Sequence, residues 1–427
     1  MADGLLNKAS IILTPTGYKA GTLYNVAPID EPYEDFDFAR TSTATRINSN
    51  GLVSNVATGV PRISYDSNGD NGHILLEPTS TNLVTYSEDF TESYWTTTSL
   101  DVETSLVIAP DGSSYANKLV PDDGTGGFRG LSRIFNSLSG LHTVSFFAKK
   151  GEYDYLMLRT RNSPNTGVMF NLDDGTFTIN LDTDMLVDNS IFMTALPNDW
   201  YRCELTLDPS EATNVGQLNL GWNVGITGNE QNSFSGDGIS GVYLWGVQFE
   251  ALSYATSYIP SLTGSTVTRA TEIATGAGSA DLINSTEGVL YAEIASLADN
   301  GINKYISINN GNSGLTDYIF FRYRIDGDFQ IKLRSGNTDK VNETFTLSNN
   351  LDLNKIAFSY KENEFKIFVN GSQVGTTITS GATSVANTLS NIDFKRYDGA
   401  SPFYGELKSL AVFNEALSDS ELTQLTT

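Results

Sequence analysis

Along much of the chain, large hydrophobic residues alternate with small or polar ones, which is the period of a half-buried β-strand. The pattern is clearest in residues 353–376, where the alternating apolar residues are Ile356, Phe358, Tyr360, Phe365, Ile367 and Val369. Asn370-Gly371 follows, and both residues tolerate the positive φ of a two-residue type I′ turn. Such a turn predicts three cross-strand pairs, which are Val369 with Ser372, Ile367 with Val374 and Phe365 with Thr376. Register and burial then agree, because Val374 shares the apolar face.

A second hairpin pattern surrounds Asp326-Gly327, but it predicts a different turn. A two-residue turn would set its apolar residues opposite polar ones. A three-residue loop instead places two apolar sets on one face, namely Phe321, Tyr323 and Ile325 with Phe329, Ile331 and Leu333. Because burial specifies the register of a strand pair, we predict the longer loop, with a bulge.

The chain as a whole predicts an all-β fold with two antiparallel β-sandwich or jelly-roll domains. Short strand patterns recur with turn residues between them, and no long helical pattern interrupts them. The clearest strand patterns are 141–148, 153–158, 168–172, 176–179, 200–207, 242–249, 289–295 and 403–413.

One short helix is predicted at the C-terminus, over residues 419–425. Ser418 and Glu421 have the spacing of a capping box, in which each side chain bonds to the backbone of the other residue. Leu417 and Leu422 occupy the two positions of a hydrophobic staple.

The length of 427 residues favours more than one sandwich. Breaks in the pattern predict an extended N-terminal arm or attachment segment (1–42), a turn-rich connecting module (43–85), a jelly roll (86–260), a linker (261–282) and a second sandwich (283–427). The arm interleaves acidic and aromatic residues between Asp30 and Phe38. We expect it to become ordered on a partner or a sister subunit; an unordered terminus is the alternative.

Charge narrows the classes of partner. The chain has 26 basic and 50 acidic residues, a net charge of −24. That field opposes binding to nucleic acid or to an anionic bilayer, so neither partner is expected. No apolar run reaches the ~20 residues of a membrane span, and the start lacks the pattern of a secretory signal. We therefore expect a protein made in a cytoplasm and not inserted in a membrane.

Acidic turns offer candidate ligands for calcium, which prefers carboxylate oxygens. The candidates are Asp326 and Asp328 in one turn, and Asp173 and Asp174 in another. Asp-Gly turns are common without metals, so a plain turn is the alternative. No other cofactor is predicted.

The sequence predicts no catalytic residue. With only His73 and His142, a histidine-centred triad or a multi-histidine zinc site is disfavoured. The lone Cys203 lies in a strand pattern and is expected to be a small buried residue. A glycosidase needs only two carboxylates, so glycan hydrolysis stays open as an enzyme hypothesis.

Glycan binding uses flat aromatic faces beside hydrogen-bonding side chains. The candidates are Trp95 beside Tyr94, and Trp222 beside Asn223. The alternative for the two tryptophans is a place in the core or at a subunit interface, where large aromatic residues are common.

Two stretches near the C-terminus, 356–376 and 403–425, resemble laminin-G-like, concanavalin-like sandwich domains. In that family a strand leads to an Asn-Gly hairpin, and the closing strand precedes a short helix. The resemblance covers about 145 residues and implies the fold; these domains bind glycans, proteins or no obvious ligand.

Residues 35–90, with DFDFARTSTATRINSNGLV and ILLEPTSTNLVTYSEDF, resemble a module of bacteriophage virion proteins, including tail and head fibres. The next region is similar to jelly rolls of the carbohydrate-binding-module type, and the residues that carry this likeness are Phe90, Trp95, 199–202, 249–250 and 254–260.

The second resemblance implies a non-enzymatic virion fibre or spike component that recognises host-surface glycan and contacts other virion proteins through residues 1–42. It also implies a homo-oligomer, with a trimer expected from the family. A purely structural capsid decoration or fibre-base protein is the alternative, and a glycan hydrolase is the lesser one.

Overall fold

The computed structural model describes residues 3–27, 35–124, 129–161, 164–225, 234–298, 302–311 and 316–427. Strands dominate these residues, and the paired strands run antiparallel within several sheets. The predicted all-β class with two sandwiches is confirmed. In the described part of the chain, no helix has the length and apolar character that crossing a membrane requires.

The strands that precede the jelly roll are β1 (Ala9–Lys19), β2 (Thr22–Ala27), β3 (Phe36–Ala39), β4 (Ala44–Ile47), β5 (Val53–Val56), β6 (Ile63–Ser64), β7 (His73–Leu76) and β8 (Ser80–Asn82). The jelly-roll strands are β9 (Thr96–Thr98), β10 (Leu100–Ile108), β11 (Tyr115–Pro121), β12 (Gly130–Phe135), β13 (His142–Lys150), β14 (Tyr155–Thr160), β15 (Gly167–Asn171), β16 (Thr176–Ile179), β17 (Phe192–Leu196), β18 (Trp200–Leu207), β19 (Leu218–Gly225) and β20 (Val242–Glu250).

The remaining strands are β21 (Val267–Arg269), β22 (Ile273–Thr275), β23 (Glu287–Ser296), β24 (Lys304–Asn309), β25 (Tyr318–Tyr323), β26 (Phe329–Ser335), β27 (Thr338–Phe345), β28 (Asn354–Lys361), β29 (Glu364–Val369), β30 (Ser372–Ile378), β31 (Asn391–Asp393) and β32 (Gly405–Phe413). The helices are α1 (Asp3–Leu6) and α2 (Asp419–Thr426), with 3₁₀ turns at Pro197–Asp199 and Pro209–Glu211.

The C-terminal sandwich packs an eleven-stranded sheet against a five-stranded one. The five-stranded sheet has the order β27-β26-β25-β24-β31, and the central strands of the larger sheet are β32, β23 and β28. Leu290, Phe358 and Val412 from the larger sheet meet Ile306 and Phe321 from the smaller one in a single buried core. Burying this apolar surface is the main force that holds the two sheets together.

The N-terminal strands belong to this sandwich. β1 pairs with β32, β2 pairs with β1, and β3 pairs with β2. Ile11 and Leu13 are fully buried in the C-terminal core. The expectation of a separate extended arm is therefore wrong for residues 9–27, because the edge of β32 offers a ladder and a core that the alternating residues of β1 fit. The acidic residues before Asp35 lie outside the described residues.

The jelly roll is inserted into the other domain. Its two six-stranded sheets enclose a core of their own that includes Phe146, Phe170 and Trp222. The chain enters it after β8 and leaves it before β21, and these two strands pair with each other. The predicted linker 261–282 is consequently not a free connector, since β21 and β22 are both hydrogen-bonded into sheets.

Both hairpin predictions can be compared with the observed registers. At Asn370-Gly371, the pairs Val369–Ser372 and Ile367–Val374 are confirmed, but Phe365 pairs with Ile378 instead of Thr376. A register shift between Ile367 and Phe365 explains the difference, and Gly375 at φ 69° lies in the displaced stretch of β30.

At Asp326-Gly327 the longer loop is confirmed. Tyr323 pairs with Phe329, and the backbone of Arg324 bonds to that of Asp328, which leaves three residues in the loop. The prediction that Ile325 joins the apolar face is wrong, because Ile325 is itself in the loop and 55% exposed. The C-terminal capping box of Ser418 and Glu421 is confirmed.

A buried ion network joins the N-terminal module, the end of the jelly roll and the supposed linker. Arg62 donates from Nε to Glu272 Oε1 at 2.8 Å, and its Nη2 lies 2.8 Å from Glu77 Oε2. Arg40 Nη1 lies 2.7 Å from Glu272 Oε1, and Arg269 Nη1 lies 2.9 Å from Glu77 Oε2. All five side chains are at most 3% exposed.

The network keeps the Glu77 carboxylate ionised inside the protein. Burial opposes the charge on Glu77, yet Arg269 and Arg62 hold its pKa at about 2. Ser257 adds hydrogen bonds from its backbone nitrogen at 2.8 Å and its hydroxyl at 2.7 Å. A buried ion pair is tolerated only with such additional hydrogen bonds, so the geometry of every member depends on the others.

Removing one member should destabilise the fold strongly. We expect Glu272→Gln to lower the free energy of unfolding by about 3–5 kcal/mol, because Arg40 and Arg62 lose a buried countercharge. The control is Glu415→Gln, which breaks an exposed 3.3 Å pair with Lys8 and should cost little, because water screens an exposed pair. Urea unfolding measures both; equal losses in the two variants would contradict the role of the network.

A second buried carboxyl, Glu88, lies beside an aromatic cluster that includes Trp245 and Tyr258. Tyr258 donates its hydroxyl to Glu88 Oε1 at 2.9 Å. Burial raises the pKa of Glu88 to about 7, although the hydrogen bond from Tyr258 opposes the shift, and the nearby charge of Asp111 adds to it.

The raised pKa of Glu88 predicts a loss of stability between pH 4.5 and about pH 7. Over that range the unfolded chain releases a proton that the folded chain retains, so the free energy of unfolding falls as pH rises. Glu88→Gln should remove this loss and stabilise the protein at pH 8 by about 3 kcal/mol, with little change at pH 4.5. Thermal unfolding at pH 4.5 and at pH 8 measures the effect, and Glu92→Gln, at an exposed residue, serves as the control at both pH values. A Glu88→Gln effect of equal size at both pH values would contradict the assignment.

Candidate functional site

Two of the predicted glycan residues lie inside the jelly roll. Trp222 is fully buried and Trp95 is 6% exposed, and their rings meet edge to face at 5.6 Å. Phe90 packs on Trp95 at 5.3 Å, and Trp95 Nε1 donates to the Tyr86 carbonyl at 3.0 Å. The structure assigns both tryptophans to the core, the alternative that the sequence left open. A ring without an exposed face cannot stack on a sugar.

The other two candidates remain closer to the surface. Tyr94 is partly buried, and the guanidinium of Arg133 lies 3.9 Å from its ring centroid. Asn223 is partly buried on β19, opposite Gly130 of β12. Glycan binding by Tyr94 and Asn223 stays a prediction.

The acidic turns have internal partners. Asp173 pairs with Lys150, and Asp174 Oδ1 accepts the backbone nitrogen of Thr176 at 3.0 Å. Arg324 binds Asp326 through two nitrogens, and this contact lowers the pKa of Asp326 to about 2. Asp328 Oδ1 accepts the Thr346 hydroxyl at 2.8 Å.

A calcium ion at either turn would have to compete with these bonds. Across the described ranges, no three His, Cys, Asp or Glu side chains are grouped so that they could hold a metal. Calcium binding at the four aspartates stays a prediction. His142 bonds to the carbonyl of Gly140 at 3.0 Å, and the Cys203 thiol is fully buried in the core.

The outer face of the five-stranded sheet carries an unexpected cluster. Strand alternation sends Ile319, Phe321 and Tyr323 of β25 into the core and leaves Tyr318 and Phe320 on the opposite side. We call this cluster the aromatic–cationic face and define it by Tyr305, Tyr318, Phe320, Arg322, Lys332, Arg334, Arg396 and Tyr397.

The rings of the face form a stacked platform. Tyr397 lies parallel to Tyr318, with 3.7 Å between centroids and 4° between planes. Phe320 contacts Tyr397 at 6.2 Å and Tyr305 at 5.1 Å. Tyr305, Tyr318 and Phe320 are under 5% exposed, whereas Tyr397 is partly exposed and forms the outer layer. Burial and a hydrogen bond with Tyr318 raise the pKa of Tyr397 to about 12, so its hydroxyl stays protonated at neutral pH.

Cations surround the platform in a protein that is acidic overall. Lys332 lies 2.8 Å from Asp339, Arg334 lies 3.4 Å from the same carboxylate, and Arg396 binds Asp398. The fourth cation is Arg322, whose guanidinium lies 5.5 Å from the Tyr305 ring centroid and 5.9 Å from that of Phe320.

This arrangement suits recognition of a sugar. A flat ring at the surface can stack on a pyranose, and charged donors beside it can bond to hydroxyls or acids. Sequence reasoning missed the face because it assigned Tyr318 to Arg334 to one hairpin and used only its apolar side. The signal that could have found the face is the pair of adjacent aromatic residues Phe320 and Phe321. Consecutive strand residues point to opposite faces, so one of the two must lie on the outer side of the sheet.

Comparisons with known proteins bear on the same domain. Residues 291–423 match the family model described as the Concanavalin A-like lectin/glucanases superfamily. The matched residues include the whole aromatic–cationic face, and they agree with the resemblance drawn from 356–376 and 403–425. No curated protein sequence matches the chain.

Solved structures give distant likenesses of fold. The CBM40 domain of a Ruminococcus gnavus IT-sialidase is 20% identical, with 36% of this chain and 94% of that chain covered and a TM-score of 0.30. A heptameric SAP-like pentraxin from Limulus polyphemus is 14% identical, with 34% and 71% covered and a TM-score of 0.27. Domains LG4-5 of the mouse laminin alpha1 chain are 11% identical, with 70% and 92% covered and a TM-score of 0.24. At such TM-scores these likenesses carry no functional argument.

Proposed function

We propose that this chain is a non-enzymatic bacteriophage virion protein, a fibre or spike component of tail or head, that contributes to recognition of host-surface glycan. The observation that carries the glycan part is the aromatic–cationic face on a sandwich whose sequence matches a lectin and glucanase superfamily. The virion part rests on the resemblance of residues 35–90 to virion modules.

Recognition would begin with a sugar ring stacked on Tyr397. Tyr318 covers one side of the Tyr397 ring, so the sugar would stack on the part of the Tyr397 ring that remains exposed. Such a shallow contact is weak by itself. In a homo-oligomer, with a trimer expected from the virion resemblance, several faces would act together and multiply the affinity.

Attachment to other virion proteins through residues 1–42 is also part of the proposal. Because β1 and β2 are bound into the large sheet, the attachment surface would be a folded edge of the C-terminal sandwich. Electron microscopy of the assembled particle would locate the chain. A position enclosed by other proteins, with the face covered, would favour the alternative of a purely structural decoration or fibre-base protein.

The central test is the loss of Tyr397. We expect Tyr397→Ala to weaken binding of the purified oligomer to host cells and to their extracted polysaccharide about tenfold, because the stacking surface is removed. Tyr115→Ala, at a tyrosine of the jelly roll that is 55% exposed, is the matched control and should bind normally. Circular dichroism confirms that both variants are folded.

Two results would overturn the proposal. Equal binding by wild type and Tyr397→Ala would exclude the face as the site. No binding to host cells or to their polysaccharide by the wild-type oligomer would exclude recognition. Because the matched superfamily also includes glucanases, release of reducing ends is measured in the same samples; such release would favour the glycan hydrolase instead.

A further inference from the structure

We propose that the aromatic–cationic face selects an acidic polysaccharide, and that Arg322 binds a carboxylate carried by the sugar that stacks on Tyr397. This inference rests on the proposed function and deepens it, since it names the chemical class of the ligand. It assigns to Arg322 the part of a specificity-determining residue.

The charge balance of the face is the first argument. The four cationic side chains that define the face have two carboxylates as salt-bridge partners, since the three pairs already described use Asp339 and Asp398. In a chain with a net charge of −24, this excess of two positive charges is a local reversal of sign. An anionic ligand would be drawn to this patch and repelled by most of the remaining surface.

The contacts of Arg322 are the second argument. Its Nη1 donates to the Tyr305 hydroxyl at 2.9 Å, while its buried Nε has no hydrogen-bond partner. Among the residues that the structure describes, no Asp or Glu lies within 4 Å of its guanidinium nitrogens. Arg322 is therefore the member of the face that has a charge without a counterion.

The position of Arg322 beside the platform is the third argument. Its guanidinium and the ring of Tyr397 contact the same Phe320 ring, at 5.9 Å and 6.2 Å. Arg322 and Tyr397 thus both neighbour Phe320, and the proposal places a substituent of the pyranose on Tyr397 against Arg322. A guanidinium is a planar fork that matches a planar carboxylate in two parallel hydrogen bonds.

The probes separate charge from sugar shape. Polygalacturonate presents a carboxylate on every ring, and the same polymer with its carboxylates reduced to primary alcohols keeps the rings and hydroxyls. A glycerol-phosphate polymer supplies an anion without a pyranose ring. Binding of the full chain to all three is measured by calorimetry at low salt and again at 0.5 M NaCl.

We expect wild type to bind polygalacturonate at least about tenfold more tightly than the reduced polymer. A tenfold difference in affinity corresponds to the free energy of one hydrogen bond to a charged group. This preference should shrink at high salt. Arg322→Gln should bind both polymers equally, and Arg322→Lys should retain part of the preference, because it keeps the charge without the fork.

Arg324→Gln is the matched control. It removes the same charge two residues away, from a side chain that already pairs with Asp326, and it should keep the preference. Thermal unfolding of each variant checks the fold. The preserved binding of Arg322→Gln to the reduced polymer shows in addition that the platform is intact.

Three results would overturn the inference. These are equal binding of the two sugar polymers by wild type, an undiminished preference in Arg322→Gln, and tighter binding of the glycerol-phosphate polymer than of polygalacturonate. Failure to bind polygalacturonate overturns it as well. None of these results decides the proposed function, which stands or falls separately on the binding of Tyr397→Ala and wild type to host cells.

Discussion

The buried network around Glu272 is the constraint on which the arrangement of this protein depends. Charges without water are stable only when each has partners at the correct distance, so Arg40, Arg62 and Arg269 can be satisfied in one arrangement of the chain. The residues come from three separate stretches of sequence. By bonding them together, the network sets how the jelly roll leaves the C-terminal sandwich and how the N-terminal module packs against both.

The same constraint explains the domain order. The jelly roll begins after β8 and ends before β21, and those strands pair beside the network. An insertion of this kind needs its two ends close together, which the paired strands provide. The sandwich that carries the candidate site is therefore built from both ends of the chain, and β1 pairs with β32, a strand that lies about 400 residues later.

The candidate site follows from the chemistry of the outer face of a sheet. Inside the sandwich, the two sheets bury apolar side chains against each other. On the outer face, Tyr318 and Tyr397 stack in parallel, and Arg322 lies near the Tyr305 ring and donates to its hydroxyl, because aromatic faces attract cations. Stacking on Tyr318 holds Tyr397 in place, and the hydrogen bond to Tyr305 holds Arg322. A preorganised surface loses little entropy when a ligand binds.

The sequence by itself determined the strand class, the capping box of Ser418 and Glu421, and the turn at Asn370-Gly371. These features depend on neighbours a few residues apart, so local pattern was sufficient. The register beyond Ile367, the buried place of Trp222 and the pairing of β1 with β32 were decided by the tertiary structure.

The aromatic–cationic face was also decided by the tertiary structure. Tyr397 is 79 positions from Tyr318, and nothing in either stretch indicates that their rings will stack. Burial and ion pairing act between residues that are distant in sequence. Only the folded chain determines which charges find a partner and which, like that of Arg322, remain available.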